Sequence, residues 1–187
     1  MFHVEHFAKK THKMDLDQLK KSFRTVSDFP KKGITFRDIT TVVKNPECMN
    51  FIIEELYEKY RDKGITKVVG IESRGFIFAP VIAYKLNTGF VPMRKKSKLP
   101  AEVYEQEYEK EYGTDTIAVH KDAISDKDTV LLHDDFLATG GTMTAACKLL
   151  KKIGVGKIYI NFISEITDLG GREKLKEFGE VESLIWF

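Results

Sequence analysis

Two adjacent carboxylates followed by a short glycine loop are the part of the chain best suited to chemistry. Asp134 and Asp135 come after the apolar, branched run Val130 to Leu132, which predicts a buried strand of a parallel sheet. Small and hydroxyl-bearing residues follow, namely Ala138, Thr139, Gly140, Gly141 and Thr142. Residues 143–152 then have a helix-forming composition and end in cations, which suit a helix C-terminus.

This succession of strand, glycine loop and helix predicts a phosphate-binding site. It gathers free backbone N–H groups and a helix N-terminus around one point. The glycines let the backbone approach an anion closely, and Thr139 and Thr142 can add hydroxyl donors. We call Ala138 to Thr142 the phosphate loop. It is not a Walker loop, because no Lys follows Gly141, and the chain has no G-x-G-x-x-G fingerprint.

The two aspartates need a partner other than the phosphate, because two anions beside a phosphate would repel it. They are expected to accept hydrogen bonds from sugar hydroxyls, to face a cationic transition state, or to hold Mg²⁺. The alternative is a strand-ending turn with no chemical role, since short motifs produce false positives. His133, one residue earlier, is expected to be a packed or hydrogen-bonded strand residue and not a catalyst.

The elements around this loop predict an α/β fold with an open, largely parallel, twisted sheet flanked by helices. Apolar runs indicate strands at about 67–71, 90–93, 129–134 and 157–163, and helical patterns separate them. A helix is predicted over 15–26, another after Asn45-Pro46 and a third over 76–86, whereas 28–41 is too irregular for an element. Residues 14–187 are expected to form one domain, and 1–13 a flexible extension.

Composition and charge exclude several classes of protein. Hydrophobic residues make up 42% and charged residues 31% of the 187 residues, as in an ordinary globular protein. The formal net charge of +2 demands neither nucleic acid nor an anionic membrane as a partner. Two cysteines, Cys48 and Cys147, are too few for a disulfide framework. With no apolar run long enough for a membrane span or signal peptide, the protein is expected in the cytoplasm.

Several separated segments resemble type I phosphoribosyltransferases, in the same order along the chain. The stretch 129–142 resembles the family's motif for phosphoribosyl pyrophosphate, and its Ala-Thr-Gly-Gly-Thr ending is similar to that of the adenine-specific branch. The resemblance covers about Phe23 to Lys174 and includes 28–38, 72–75, 94–100, 111–113 and 171–174. Two departures are Ser97, where glycine is expected, and Phe136, where a small aliphatic residue is expected.

The resemblance implies an enzyme of purine salvage, a glycosyltransferase that transfers a pentosyl group. Adenine and phosphoribosyl pyrophosphate would give AMP and pyrophosphate, with Mg²⁺ held mainly by the substrate and Asp135 as a candidate ligand. It also implies a homodimer, in which Arg94 would reach the neighbouring site. Two alternatives stay open: a phosphoribosyltransferase for a 6-oxopurine, and a non-catalytic regulator that senses phosphoribosyl pyrophosphate.

The resemblance further assigns residues to each part of the substrates. Pyrophosphate would be bound by Glu72, Ser73, Arg74, Gly75, Arg94, Lys95 and Lys98, with a cis peptide bond between Glu72 and Ser73. The ribose and its phosphate would be bound by Asp134, Asp135 and the phosphate loop. Adenine would be bound by Thr35, Phe36, Arg37, Phe136 and Ala138, beneath a hood at about 23–41. The catalytic set would be Arg74, Glu111, Asp134 and Asp135, under a mobile lid at about 94–116 that includes Tyr112.

Overall fold

The computed structural model describes residues 14–109 and 113–187. The predicted extension 1–13 therefore lies outside the described residues, as do Glu111 and Tyr112. The contacts divide the chain into two compact units, Met1–Phe51 and Ile52–Phe187. Among the described residues, no helix has the length and apolar character that crossing a membrane requires.

The elements alternate along the chain as the sequence pattern predicts. The N-terminal part contains α1 (Leu16–Ser22), β1 (Arg24–Ser27), β2 (Thr35–Asp38), α2 (Thr40–Val43) and α3 (Pro46–Tyr60). The middle contains β3 (Lys67–Ile71), α4 (Gly75–Lys85), β4 (Gly89–Lys95), β5 (Val103–Glu109) and β6 (Thr114–His120). The remainder contains β7 (Thr129–Leu137), α5 (Gly141–Ile153), β8 (Lys157–Glu165), a 3₁₀ turn (Thr167–Leu169), α6 (Gly171–Leu175) and β9 (Glu180–Trp186).

The larger unit is built on a mostly parallel sheet, which confirms the predicted fold class. Within the described residues its strands follow the order β5-β6-β4-β3-β7-β8-β9. The five strands from β4 to β9 in this order are parallel, and β6 and β5 continue the sheet in antiparallel fashion. Parallel pairing needs crossover connections, and α4 and α5 supply two of them.

The core of this unit lies around β7. Its residues Val130, Leu131 and Leu132 are fully buried because strands flank them on both sides and helices cover the sheet. The helix α5 buries one face against the sheet, with Met143, Ala145, Ala146, Cys147, Leu149 and Leu150. This packing fixes the end of β7 and the start of α5, which are the two ends of the phosphate loop.

Two predictions for the N-terminal unit were wrong. The helix predicted over 15–26 ends at Ser22, and Arg24–Ser27 forms β1, whose β-branched Thr25 and Val26 favour a strand. The segment predicted to be irregular contains β2, which pairs antiparallel with β1. The Arg24 guanidinium donates to Asp38 Oδ2 at 2.5 Å, so the ends of the two strands are held together by charge. At the start of α3, Asn45 caps the helix as predicted, since its Oδ1 accepts from the Glu47 N–H at 2.9 Å.

The segment predicted as a lid loop, 94–116, is largely an antiparallel pair of strands. Its tyrosines alternate with glutamates at the period of a strand, so Tyr104 and Tyr108 pack on the core while Glu105 and Glu107 are exposed. Ser97 has a φ of +64°, in the left-handed region, which is the backbone reason to expect glycine there. Mobility of this segment stays a prediction.

Candidate active site

The candidate site lies where two neighbouring parallel strands end. The strands β3 and β7 pair in register from Lys67 opposite Val130 to Gly70 opposite His133. The turn Glu72–Gly75 after β3 and the aspartates near the end of β7 therefore lie side by side. β3 has β4 on one side and β7 on the other, so the chain leaves it in opposite directions. Ligands of open α/β sheets bind at such a point, beyond the carboxyl ends of the strands.

A cavity of about 430 Å³ occupies this position. It is lined by Ile71, Glu72, Ser73, Arg74, Met93, Arg94, Lys95, Tyr108, Ile117, Asp134 and Thr142. The structure thus brings together residues predicted to bind pyrophosphate, one predicted aspartate and one residue of the phosphate loop. Lys98 is not part of this lining, but its carbonyl oxygen accepts a hydrogen bond from Arg94 Nη1 at 3.0 Å.

The two aspartates differ in their surroundings. Asp135 is 2% exposed, and its Oδ2 lies 2.8 Å from Nε of Arg74, a residue that lines the cavity. Burial raises the pKa of Asp135, and Arg74 opposes that rise. Burial also raises the pKa of Asp134 well above its usual value, and the charge of Asp135 beside it adds to the effect. Asp134 therefore holds a proton more readily than Asp135.

The turn after β3 brings its backbone against β7. The Glu72–Ser73 peptide bond is cis, which confirms the expectation from the resemblance. α4 begins at Gly75, where a Cβ would lie 2.8 Å from the carbonyl oxygen of His133. Any side chain at Gly75 would push the turn away from the aspartates, so this position requires glycine.

The phosphate loop leads into α5 as predicted, with Gly140 at the helix N-cap and a φ of +77°. Gly140 also packs against the backbone of Gly171, because a Cβ on Gly140 would lie 3.0 Å from the Gly171 carbonyl oxygen. Gly141 differs, since a Cβ there would meet no heavy atom among the described residues closer than Glu109 O at 3.9 Å. The loop's glycines thus serve a backbone conformation and a close contact as well as access for an anion.

The cations predicted to bind pyrophosphate are held by carboxylates. Glu72 Oε2 accepts from Arg94 Nε and from the Lys95 backbone N–H, each at 3.1 Å. Burial alone would raise the pKa of Glu72, but these hydrogen bonds outweigh it and the pKa lies below its usual value. The Lys95 ammonium lies 3.4 Å from Asp115 Oδ2. Sequence reasoning placed Glu72 among the pyrophosphate ligands, whereas its side chain orients Arg94.

His133 is a buried strand residue, as predicted. Its ring is fully buried, and Nδ1 lies 2.8 Å from Oδ1 of Asn161 on β8. Burial lowers the pKa of His133 to about 4, so the ring is neutral at physiological pH. The pair ties β7 to β8 immediately before the aspartates.

The residues predicted to bind adenine fall in both units. Thr35, Phe36 and Arg37 lie on β2, where the Arg37 guanidinium donates to Thr25 Oγ1 and Phe36 packs edge-on against Phe29. Phe136 was expected just beyond a strand ending at Asp134, but β7 continues to Leu137 and Phe136 pairs with Ser164 of β8. Its ring is half-buried. The roles of these residues in binding adenine stay predictions.

Sequence reasoning missed two polar residues of the β5–β6 pair. The Thr142 hydroxyl lies 3.3 Å from the Tyr108 hydroxyl, which in turn lies 3.5 Å from Asp115 Oδ2. The signal was present in the period-two alternation of Tyr and Glu, which places Tyr108 on the inner face of a strand. It was overlooked because the segment was interpreted as a loop.

The donor set fits Mg²⁺ only as a minor protein ligand. Asp135 Oδ1 is buried and has no hydrogen-bond partner among the described residues, so it offers the kind of oxygen that Mg²⁺ prefers. However, residues 14–109 and 113–187 contain no group of three or more His, Cys, Asp or Glu side chains arranged to hold a metal. A Mg²⁺ here would take most of its oxygens from a phosphate ligand and from water.

Known proteins share both the sequence and this fold. The phosphoribosyl transferase domain matches residues 38–179. An adenine phosphoribosyltransferase of Bacteroides thetaiotaomicron is 56% identical over 172 residues, covering 92% of this chain and 98% of its own. One from Proteus mirabilis is 50% identical over 164 residues, covering 88% of this chain and 90% of its own.

A solved structure agrees with the sequence relatives. The enzyme of Giardia lamblia, complexed with 9-deazaadenine, matches with a TM-score of 0.88 and 42% identity, covering 93% of this chain and 98% of its own. The matched region contains the cavity, the paired aspartates and the phosphate loop. The chain belongs to the phosphoribosyl transferase family and has the type I fold.

Proposed function

We propose that the protein is an adenine phosphoribosyltransferase, which converts adenine and phosphoribosyl pyrophosphate to AMP and pyrophosphate. The observation that carries this proposal is the single cavity lined by Arg74 and Arg94 on one side and by Asp134 and Thr142 on the other. It offers cations for a pyrophosphate, a carboxylate for a sugar and a helix start for a phosphate. The names of the relatives in Bacteroides and Proteus and the ligand bound in the Giardia structure support adenine as the base.

In this mechanism the protein binds the two charged ends of phosphoribosyl pyrophosphate and leaves C1 of the ribose between them. The N–H groups and hydroxyls of the phosphate loop bind the 5′-phosphate, and Arg74 with Arg94 binds the pyrophosphate. As pyrophosphate leaves, C1 becomes oxocarbenium-like, and N9 of adenine attacks it. Asp134 and Asp135 hold the ribose hydroxyls and place negative charge beside the developing cation.

The ion pair between Arg74 and Asp135 gives this arrangement a further property. Arg74 serves the leaving pyrophosphate, and Asp135 serves the ribose, so the 2.8 Å contact fixes the distance between the two functions. Mg²⁺, bound mainly by the pyrophosphate and also by Asp135, would neutralise leaving-group charge. Glu111 is the proposed acid–base group near the purine imidazole, and Tyr112 part of the segment that excludes water.

The proposal extends to the setting of the enzyme. We place it in the cytoplasm, a reducing compartment, where free thiols such as those of Cys48 and Cys147 persist. We also propose a homodimer, supported by the apolar residues that α4 leaves exposed, Val81 at 41% and Tyr84 at 85%.

The test is product formation from phosphoribosyl pyrophosphate and Mg²⁺, offered adenine, hypoxanthine, guanine and xanthine in parallel. The proposal predicts AMP from adenine and at least a hundredfold lower kcat/KM for the three other bases. Turnover of a 6-oxopurine at a comparable rate would assign the protein to the other purine branch. Tight binding of phosphoribosyl pyrophosphate without any nucleotide product would instead indicate a regulator.

A further inference from the structure

The short helix α6 touches the phosphate loop through backbone alone. A Cβ on Gly171 would lie 2.2 Å from the carbonyl oxygen of Ala138 and 3.1 Å from the backbone nitrogen of Gly140. Backbone atoms cannot swing aside as a flexible side chain can, so this contact is possible only with glycine at position 171. The position of α6 therefore sets the position of the loop.

A side chain of α6 makes a second contact with the loop. The Lys174 ammonium donates to the carbonyl oxygen of Thr139 at 3.0 Å. This carbonyl belongs to the peptide whose N–H is that of Gly140. Together, Gly171 and Lys174 contact three consecutive residues of the phosphate loop, from the side opposite to an incoming phosphate.

The position of α6 is itself fixed by a buried ion pair. Arg172 donates from Nε to Glu165 Oε1 at 3.0 Å and from Nη2 to Glu165 Oε2 at 2.6 Å. Its Nη1 donates to the carbonyl oxygen of Val181 at 2.6 Å, and the Ser183 hydroxyl donates to Glu165 Oε2 at 2.8 Å. Such a two-pronged pair fixes direction as well as distance.

The carboxylate of this pair is rigidly connected to the end of β7. Glu165 is 3% exposed and pairs in register with Leu137, the residue before the phosphate loop. The Ile166 N–H also donates to the Leu137 carbonyl oxygen at 2.9 Å. Burial alone would raise the pKa of Glu165, but its hydrogen bonds to Arg172 and Ser183 outweigh this and lower it. The carboxylate therefore stays ionised, and the pair persists, well below neutral pH.

We propose that Arg172 and Glu165 are positioning residues for 5′-phosphate binding, which act by holding Gly171 against the phosphate loop. Neither side chain lines the cavity, and both act through the backbone of α6. The inference rests on the proposed function, because it takes the ligand of the loop to be the 5′-phosphate of the substrate. It assigns the ion pair to one end of the substrate only, since Glu72, Arg74 and Arg94 hold the other end.

The test compares Glu165→Gln and Arg172→Gln with Glu173→Gln. The control removes the exposed ion pair of Glu173 with Lys176, an equal change of charge beside the same helix. Calorimetry measures the Kd of ribose 5-phosphate and, separately, of pyrophosphate with Mg²⁺, at a temperature where circular dichroism shows each variant folded. We expect the Kd of ribose 5-phosphate to rise at least tenfold in the two test variants, and neither Kd to change more than twofold in the control.

Selectivity decides between positioning and a merely structural role. The Kd of pyrophosphate should stay within about threefold in the test variants, and Arg172→Lys, which keeps the charge but loses the fork, should show an intermediate loss. An unchanged Kd of ribose 5-phosphate, or equal losses for both ligands, would overturn the proposal. If Arg172→Gln does not fold, Arg172→Lys and Glu165→Gln decide the matter in the same way. Ribose 5-phosphate carries no base, so failure here is distinguishable from a failure to convert adenine.

Discussion

Alanine at Gly140 or at Gly141 should have opposite consequences, although the two glycines are adjacent in the same loop. Gly140 has a φ of +77°, and a Cβ there would lie 3.0 Å from the carbonyl oxygen and 3.2 Å from Cα of Gly171. Gly141 has no such conformation, and its Cβ would meet Glu109 O at an ordinary distance of 3.9 Å. Gly141→Ala is therefore a matched control for Gly140→Ala.

The size of the effect follows from these two features. Placing an L-residue in the left-handed region costs about 1–2 kcal/mol, and the close contact with Gly171 forces the loop to shift by some tenths of an ångström. We expect Gly140→Ala to lower the free energy of unfolding by about 1–3 kcal/mol, or roughly 3–10 °C in Tm. Gly141→Ala, at the first position of α5, should leave stability unchanged or raise it by up to ~1 kcal/mol.

Ligand affinity separates the two variants more sharply than stability does. Losing one hydrogen bond from a loop N–H to the charged phosphate costs about 1.5–3 kcal/mol, which corresponds to a Kd raised ~10–150-fold. Calorimetry with AMP should show this loss for Gly140→Ala and less than a threefold change for Gly141→Ala. Full affinity in a folded Gly140→Ala variant would refute the assignment of the loop. So would an equal loss in both variants.

Four further predictions address other parts of the site and fold. The pKa of His133 is about 4 when folded and 6.5 ordinarily, so the unfolded chain binds the extra proton and stability falls as pH drops from 6.5 to 4. The loss should be of the order of 3 kcal/mol, and denaturant titrations of His133→Gln should show a smaller one. Asp135→Asn also releases Arg74, so both kcat and pyrophosphate affinity should fall, whereas Asp134→Asn should lower kcat alone. Phe136→Ala should raise the KM for adenine more than tenfold and leave that for phosphoribosyl pyrophosphate within twofold; normal adenine kinetics with a large loss of stability would make the ring a packing residue. Ser97→Gly should stabilise the protein by about 0.5–1 kcal/mol by relieving the left-handed backbone, and an unchanged or lower Tm would contradict this.

The parallel strands could be predicted because each is buried on both faces. Such a strand is a short run of apolar branched residues, and the run 67–71 coincides with β3. The end of β7 was less visible, since Asp134 and Asp135 look like the start of a turn. In fact the strand continues to Leu137, because Phe136 and Leu137 pair with Ser164 and Glu165 of β8. Pairing between strands distant in sequence leaves no local pattern.

The chemistry of the site was predictable to the extent that one residue type can do one task. The phosphate loop and Arg74 belong to this class, because N–H groups and a guanidinium have few other uses at a strand end. The task of Glu72 could not be predicted, because a carboxylate that orients Arg94 has the same sequence signature as one that faces solvent. The same holds for Glu165, whose partner Arg172 follows it by a turn and a short helix.

The contact between Gly171 and the phosphate loop also orders events during synthesis of the chain. The loop ends at Thr142, but α6 follows it by roughly 30 residues, and Ser183, which contacts the ion pair, comes later still. At about 5–20 residues per second, a ribosome needs a few seconds to add these segments. During that interval β3 and β7 can already pair while the loop lacks the backbone that holds it. A nascent chain halted after Glu165 should therefore carry every side chain of the cavity and still bind phosphate poorly.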